Sequence, residues 1–423
     1  MRIRMPAALL LMVAVLFSAF ASVALSCGNN GSRSSASTAA PIPTLEGPDA
    51  GTPGPVELYV MNLDGQPQLL TTLPDAPVWV WAPDDDHAAL VTNPLKGPQL
   101  HAVSVKTGAE TTFADASPIP GSLRWSTNGD WLAWADGDLQ VARADGSGRQ
   151  TLQTNYEFTA PQYGALLAWE DDHRLLATVW DSDFHSNNPP IFEFDVTNGS
   201  KREVGVPPVA SRAELSHDGQ RILFLGYGTD DCSSLWIMSV SNGNLRQLPD
   251  TCGTLSASWS PDDTEIAYTL AAYGELQPAG VYVADVASGT SRRVGGSTAL
   301  FDHVLNWSQD GNTLLIDQSK YSFWEDGAVP EALQLDAMSV SSGDETVVSY
   351  SPYYTWSLNG AAVASDVGSL QVARAPGWQM QQVMLSDLNR QCYVLDPDDT
   401  RAWSDDGQWL AFDCWPAGFT PSP

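Results

Sequence analysis

A ten-residue frame recurs eight times along this chain without a gap. Trp stands first, Asp or Asn fourth, usually Gly fifth and an aliphatic residue or Ala eighth. The frames begin at Trp81, Trp125, Trp169, Leu215, Trp259, Trp307, Trp356 and Trp403, at intervals of 44, 44, 46, 44, 48, 49 and 47 residues. Self-similarity at such a period belongs to solenoids and propellers.

The chemistry of the frame chooses between the two. Its fourth position reads Asp84, Asn128, Asp172, Asp218, Asp262, Asp310, Asn359 and Asp406. Asp or Asn followed by Gly is the hairpin pair, because these residues accept the positive φ that a tight turn between twisted strands demands. Each turn feeds a short apolar run such as Trp131-Leu132-Ala133-Trp134. A second run and a second turn follow, as in Leu235 to Val240 and then Ser241-Asn242-Gly243-Asn244. Every unit therefore reads as four short strands, A to D. No segment carries a 3.6-residue apolar period, so the expected class is all-β. Four-stranded antiparallel units of this length are propeller blades.

Two strings carry a family resemblance. Trp259-Ser260-Pro261-Asp262-Asp263 with Ile266-Ala267-Tyr268, and Leu58 to Gly65 with Gln68-Leu69-Leu70-Thr71, resemble the blade repeats of TolB-like β-propellers. The resemblance covers residues 57–415. It implies a fold and no activity, since such propellers serve unrelated roles. Leu215 in place of a Trp and His173 in place of the turn Gly depart from the pattern.

The ends of the repeat region complement each other. The start, from Glu57-Leu58-Tyr59-Val60, matches the C and D strands of a blade, and the stretch from Trp403 to Phe412 matches A and B strands. Joined, they make one blade, so both termini close the ring and no sheet edge is left open. The count is then eight blades, or seven if one frame is misread.

Residues 1–26 are expected to be a signal peptide, with Arg2 and Arg4 ahead of an almost wholly apolar run from Ala7 to Leu25. Cys27 is placed like the lipid-accepting cysteine of bacterial lipoproteins; an uncleaved membrane anchor is the alternative. Residues 27–56 shift to Gly, Ser, Thr, Ala and Pro and read as a flexible tether. The propeller domain takes residues 57–423, with no second domain expected after it. The location that follows is the cell envelope, at the outer face of a membrane.

Strand order sorts the loops. A–B and C–D turns lie on one face; B–C loops and D–A crossovers lie on the other. Long insertions are expected on the second face at residues 115–123, 155–166, 181–190, 226–234, 271–280, 297–306, 317–331 and 386–400. Loops on a rigid scaffold are where binding surfaces are built. Cys232, Cys252, Cys392 and Cys414 map to this same face. Local pairing as Cys232–Cys252 and Cys392–Cys414 is the expected connectivity, against free buried thiols.

Catalytic signatures are missing from the sequence. It has no G-x-S-x-G elbow, no H-E-x-x-H, no P-loop and no G-x-G-x-x-G, so no catalytic residue is assigned. No cofactor is expected. A metal site would need His185, His303, Asp181, Asp183 and Asp302 to converge; surface histidines are more often simply solvated, and no metal is assigned. The fourth-position Asp residues are explained as turn formers without calcium. A net charge of −30 argues against nucleic acid, whose phosphates would be repelled.

Aromatic residues crowd the long loops, and a few cations sit near the channel. Candidate ligand-binding residues are Tyr156, Tyr163, Asp181, Asp183, His185, Arg212, Asp302, His303, Tyr321, Phe323, Trp324, Tyr353, Tyr354 and Arg401. Rings with a few placed charges suit sugars or peptides. The expected function is a non-catalytic, membrane-tethered extracytoplasmic propeller that binds a protein, peptide or glycan on its long-loop face. The alternative is a polysaccharide-active lyase or hydrolase with its site at the channel mouth.

Overall fold

The computed structural model describes residues 55–92, 97–119, 121–158, 166–180, 189–227, 232–271, 278–296, 301–324, 327–350, 354–357, 359–365, 369–383, 390–394 and 402–416. Among them every regular element is a strand, and the strands form eight four-stranded antiparallel sheets. Blade 1 comprises Val78–Trp81, His87–Thr92, Gln99–Ser104 and Glu110–Phe113. Blades 2 to 7 follow in chain order, with A strands Arg124–Trp125, Leu167–Trp169, Val209–Leu215, Thr254–Trp259, Phe301–Trp307 and Tyr354–Trp356. The A strands of blades 2 and 3, and those of blades 5 and 6, approach one another, which puts the A strands on the inner ring. The fold is the eight-bladed propeller that the repeat predicts.

Blade 8 closes the ring as the half-blades require. Its strands are Arg390–Val394, Trp409–Pro416, Val56–Asn62 and Gln68–Leu73. Val56–Asn62 pairs with Trp409–Pro416 from Glu57 opposite Cys414 to Asn62 opposite Trp409.

The turn chemistry repeats at atomic detail. In six A–B turns the Ser after the anchor donates to the fourth-position Asp or Asn and accepts the backbone N–H of the seventh residue. Ser260 Oγ lies 2.8 Å from Asp262 and accepts from Glu265 N at 2.9 Å; Ser308 Oγ lies 2.7 Å from Asp310 and accepts from Thr313 N at 2.9 Å. At the fifth position Gly129 and Gly311 hold φ of 76° and 69°, while Asp85 and Asp263 hold 53° and 57°. Asp is among the few side chains that tolerate this region.

The third frame differs from the expected ungapped alignment. Trp169 pairs with Leu175, whereas Trp125 pairs with Leu132 and Trp259 with Ile266. This turn is one residue shorter. Asp171, not Asp172, takes the capping role: its Oδ1 accepts the N–H groups of His173 and Arg174 at 2.9 and 2.8 Å, as Asp84 accepts those of Asp86 and His87. His173 is thus not at the positive-φ position, which is why a side chain can stand there.

The Trp anchors do more than fill space. Five of the anchor indole N–H groups reach back to the carbonyl just before the previous blade's anchor, whereas that of Trp403 is buried without a hydrogen-bond partner. Trp125 donates to Val80 at 3.0 Å, Trp169 to Arg124 at 2.9 Å and Trp307 to Ser258 at 3.2 Å. Trp81 donates to Ala402 at 2.9 Å, joining blade 1 to blade 8. Leu215 has no N–H to give, so the seam between blades 3 and 4 lacks this staple.

Both disulfides form, with Cα–Cα separations of 5.5 Å for Cys232–Cys252 and 4.1 Å for Cys392–Cys414. They fit an oxidising compartment outside the cytoplasm. Cys392 and Cys414 are direct cross-strand partners, so residues 390–394 are strand and not loop as expected. The expected insertions at 297–306 and 317–331 are also largely strand, in Phe301–Trp307, Thr313–Trp324 and Gly327–Ser339. Lengthening a ladder satisfies backbone N–H and C=O groups that a loop would leave to water. The chain divides into two compact units. Residues 53–320 with 332–423 make the propeller; the described part of the other unit is the strand ends at residues 321–324 and 327–331.

Candidate functional site

The two ends of the propeller differ in what they expose. Eight large apolar residues are solvent-exposed among the described residues. Ile119, Val206 and Tyr350 lie on D–A crossovers, Val209 starts an A strand and Tyr227 ends a B strand. All five belong to the long-loop end. Leu245 is at the short-turn end, and Leu69 and Val347 are on outer D strands.

Three of the five gather on blades 3 and 4. Val209 and Tyr227 are direct cross-strand partners, at 46% and 40% exposure, and Val206 at 48% precedes Val209 by three residues. The backbone beneath is tight: a Cβ on Gly226 would meet Pro208 Cγ at 2.9 Å. Tyr227 pairs with Ser233, the residue after Cys232, so the first disulfide stiffens the rim of this patch. Contiguous exposed apolar surface marks interaction sites.

Polar groups lie farther in. Arg212 Nη2 is 3.9 Å from Glu214 Oε2. Glu214 Oε1 accepts from Ser258 Oγ and Trp259 N at 3.3 Å each, while Oε2 is buried without a hydrogen bond. Burial pushes the Glu214 carboxyl up, opposed by Arg212. The crevice between them holds about 10 Å³, room for a single water. At the junction of blades 6 and 7, the Tyr354 hydroxyl donates to Asp317. Burial pushes both groups above their ordinary ranges, and the negative charge of Asp317 adds to the effect on Tyr354.

The sequence candidates separate into three groups. Arg212 is half-exposed beside Glu214, and Tyr354 packs against Trp356 with its hydroxyl on Asp317. Tyr156 is instead 4% exposed and packs with Trp131, Trp169 and Phe194, because Asn155 at φ 52° turns the chain inward there. Its ring belongs to the core of blades 2 and 3. Asp302, His303, Tyr321, Phe323 and Trp324 lie on the strands Phe301–Trp307 and Thr313–Trp324. Tyr163, Asp181, Asp183, His185, Tyr353, Arg401 and the lipidation candidate Cys27 lie outside the described residues. Arg124, another channel cation, is consumed by the carbonyls of Gly121, Leu123 and Leu167. Among the described residues no cluster of three or more His, Cys, Asp or Glu could hold a metal ion.

Sequence reasoning missed Tyr350, Val206, Val209, Glu214 and Asp317. Tyr350 begins the run Tyr350-Ser351-Pro352-Tyr353-Tyr354 and was legible as part of it. Asp317 closes the apolar run Leu314-Leu315-Ile316, and an acid in that place is a readable signal. Glu214 and the valines carry no signal, since their exposure is decided by tertiary packing.

The short-turn end holds a groove of about 560 Å³ between blades 4 and 5. Its cations are committed to the fold. Arg246 donates to the Val286 carbonyl and Arg221 to that of Asp263 at 3.0 Å. The same bond recurs at other seams, from Arg202 to Val240 at 3.3 Å and from Arg292 to Val340 at 3.2 Å. The groove is one instance of a repeated seam.

No family model and no curated protein matches the chain. Solved structures do. A putative TolB from Agrobacterium tumefaciens is 11% identical, with 87% of this chain and 99% of that one covered, at a TM-score of 0.39. An oligogalacturonate lyase from Vibrio parahaemolyticus is 12% identical over 86% and 98%, at 0.50. Dipeptidyl peptidase 4 from Porphyromonas gingivalis is 11% identical over 76% and 55%, at 0.55. At such identities the likeness is one of fold. Blade count and strand order define an eight-bladed β-propeller.

Proposed function

We propose that this chain is a non-catalytic, extracytoplasmic binding propeller, tethered to a membrane through Cys27, whose long-loop end takes a protein, peptide or glycan. The observation that carries it is the distribution of exposed apolar side chains: among the described residues five of eight lie at that end, three of them on one disulfide-braced patch. Arg212, at 45% side-chain exposure on the same A strand as Val209, supplies a charge beside the apolar surface. Such a mix suits an oriented, partly polar ligand.

Aromatic hot spots cost about 2 kcal/mol or more on truncation, which is ~30-fold in affinity. Tyr350→Ala and Tyr227→Ala should each weaken binding by at least that factor. Asp310→Ala, which removes a turn cap at the other end, should lower stability and leave affinity unchanged. Titration of the three variants against a partner taken by pull-down from envelope material checks this. Loss of binding in a folded Asp310→Ala protein, with Tyr350→Ala and Tyr227→Ala unaffected, would put the site on the wrong end. For the tether, Cys27→Ser should give an exported protein without lipid, read from the mass of the mature N-terminus. A mature chain that keeps residues 1–26 would contradict it.

A further inference from the structure

We propose that Glu170 and Glu193 form a proton-binding latch in the seam between blades 3 and 4: one proton shared by their carboxyl groups holds the seam closed, and its loss loosens it. The backbone puts the pair together. Leu176 is flanked by Ala168 on strand A and Glu193 on strand C, and Glu170 lies two residues beyond Ala168 on the same face. That face meets blade 4: Leu176 packs with Ile222, Phe224 and Met238. The Glu170 and Glu193 side chains are only 4% and 12% exposed.

The charges around the pair balance only with a proton present. Arg174 Nη1 lies 3.1 Å from Glu170 Oε1 and also pairs with Asp171. Arg202 pairs with Glu193 through Nη2 and Nε, and its Nη1 donates to the Val240 carbonyl of blade 4. Two guanidinium groups thus face Asp171, Glu193 and Glu170. With Glu170 neutral the set carries no net charge. With Glu170 ionised, one excess negative charge is enclosed between two blades. The facing turn of blade 4 offers no compensation. Gly219 presses on the Glu170 carbonyl so closely that a Cβ would sit at 2.3 Å. The charged residues of that turn look toward blade 5 instead: His217 pairs with Asp263, and Arg221 with Asp218 and the Asp263 carbonyl.

A second observation is independent of charge. Glu170 Oε2 is buried with no hydrogen-bond partner while the two carboxyl groups are in hydrogen-bonding contact. Two carboxylates cannot bond to each other; a carboxylic acid and a carboxylate can. A proton on Glu170 turns the orphan oxygen into a donor. Burial first, and then Glu193, push the Glu170 carboxyl up to about 7. The sign follows. The folded protein keeps a proton that the unfolded chain releases near the ordinary carboxylate range. Stability from the latch is therefore lost as pH rises from that range through about 7. The latch occupies the seam where Leu215 leaves out the indole staple.

The test uses Glu170→Gln and Glu193→Gln, with ¹³C-carboxyl NMR titration and thermal melting from pH 5.5 to 8.5. One glutamate signal should titrate near pH 7, vanish in Glu170→Gln and move down by a unit or more, a tenfold loss of proton affinity, in Glu193→Gln. Raising the pH should lower the melting temperature of the native protein more than that of Glu170→Gln. If no glutamate carboxyl titrates above pH 6, or if the native and Glu170→Gln melting curves stay parallel, the latch is refuted. Should Glu170→Gln fail to fold, the downward shift in Glu193→Gln decides alone.

Discussion

Deleting Val56–Leu73 should abolish the fold. The chain would keep seven complete blades, but blade 8 would be left with Arg390–Val394 and Trp409–Pro416 alone. Strand Trp409–Pro416 would lose six paired residues and stand as an open edge. Leu58 and Val60, both buried against Phe412, Trp403 and Trp81, would leave a hole at the point of closure. Removing even one buried Leu costs about 2–5 kcal/mol, and here several go at once. The expected product is insoluble, or soluble without cooperative melting. Adding residues 55–73 back as a separate peptide should restore a cooperative transition. A truncated protein that melts cooperatively at the native temperature would contradict closure by both termini.

The second large effect is expected at Trp81. Its ring is wholly buried, lies edge-on to Trp79 with centroids 5.4 Å apart, and its N–H bonds Ala402 across the ring closure. Trp81→Ala should cost about 3–5 kcal/mol, the range for a buried aromatic truncated to Ala. That corresponds to a drop in Tm of roughly 4–6 °C for a chain of this size. Trp81→Phe should cost only about 1 kcal/mol, since it mainly deletes one hydrogen bond and the Ala402 carbonyl still accepts from Ala411 N at 2.8 Å. Thermal melts of the two variants separate ring packing from the N–H staple. Equal losses would mean that the staple, not the packing, holds the closure.

The fold was legible because its determinants repeat. A Trp, a turn Asp and a Gly are each required by local geometry, and eight copies average away the exceptions. Closure was legible because Glu57 to Val60 and Trp409 to Phe412 are complementary fragments of one unit. The shortened turn at Trp169 was not legible. One missing residue is hidden when Asp171 and Asp172 stand side by side and either can cap. Strand lengths at the long-loop end were not legible either, since extension of Thr313–Trp324 or Arg390–Val394 depends on what the partner strand offers. The candidate site was read least well for a related reason. Binding residues do not repeat, so Tyr156 and Tyr227 look alike in sequence although packing buries one and exposes the other.

The most direct measurement of the central claim is a hydrogen-exchange footprint of the intact protein, alone and bound to a partner recovered from envelope material or a glycan array. Protection should concentrate at the long-loop end, on peptides containing Ile119, Val206 to Val209, Tyr227 and Tyr350, with the partner recovered unchanged. Protection confined to the A–B turns, such as those of Asn128 and Asp310, or cleavage of the bound glycan, would contradict the account.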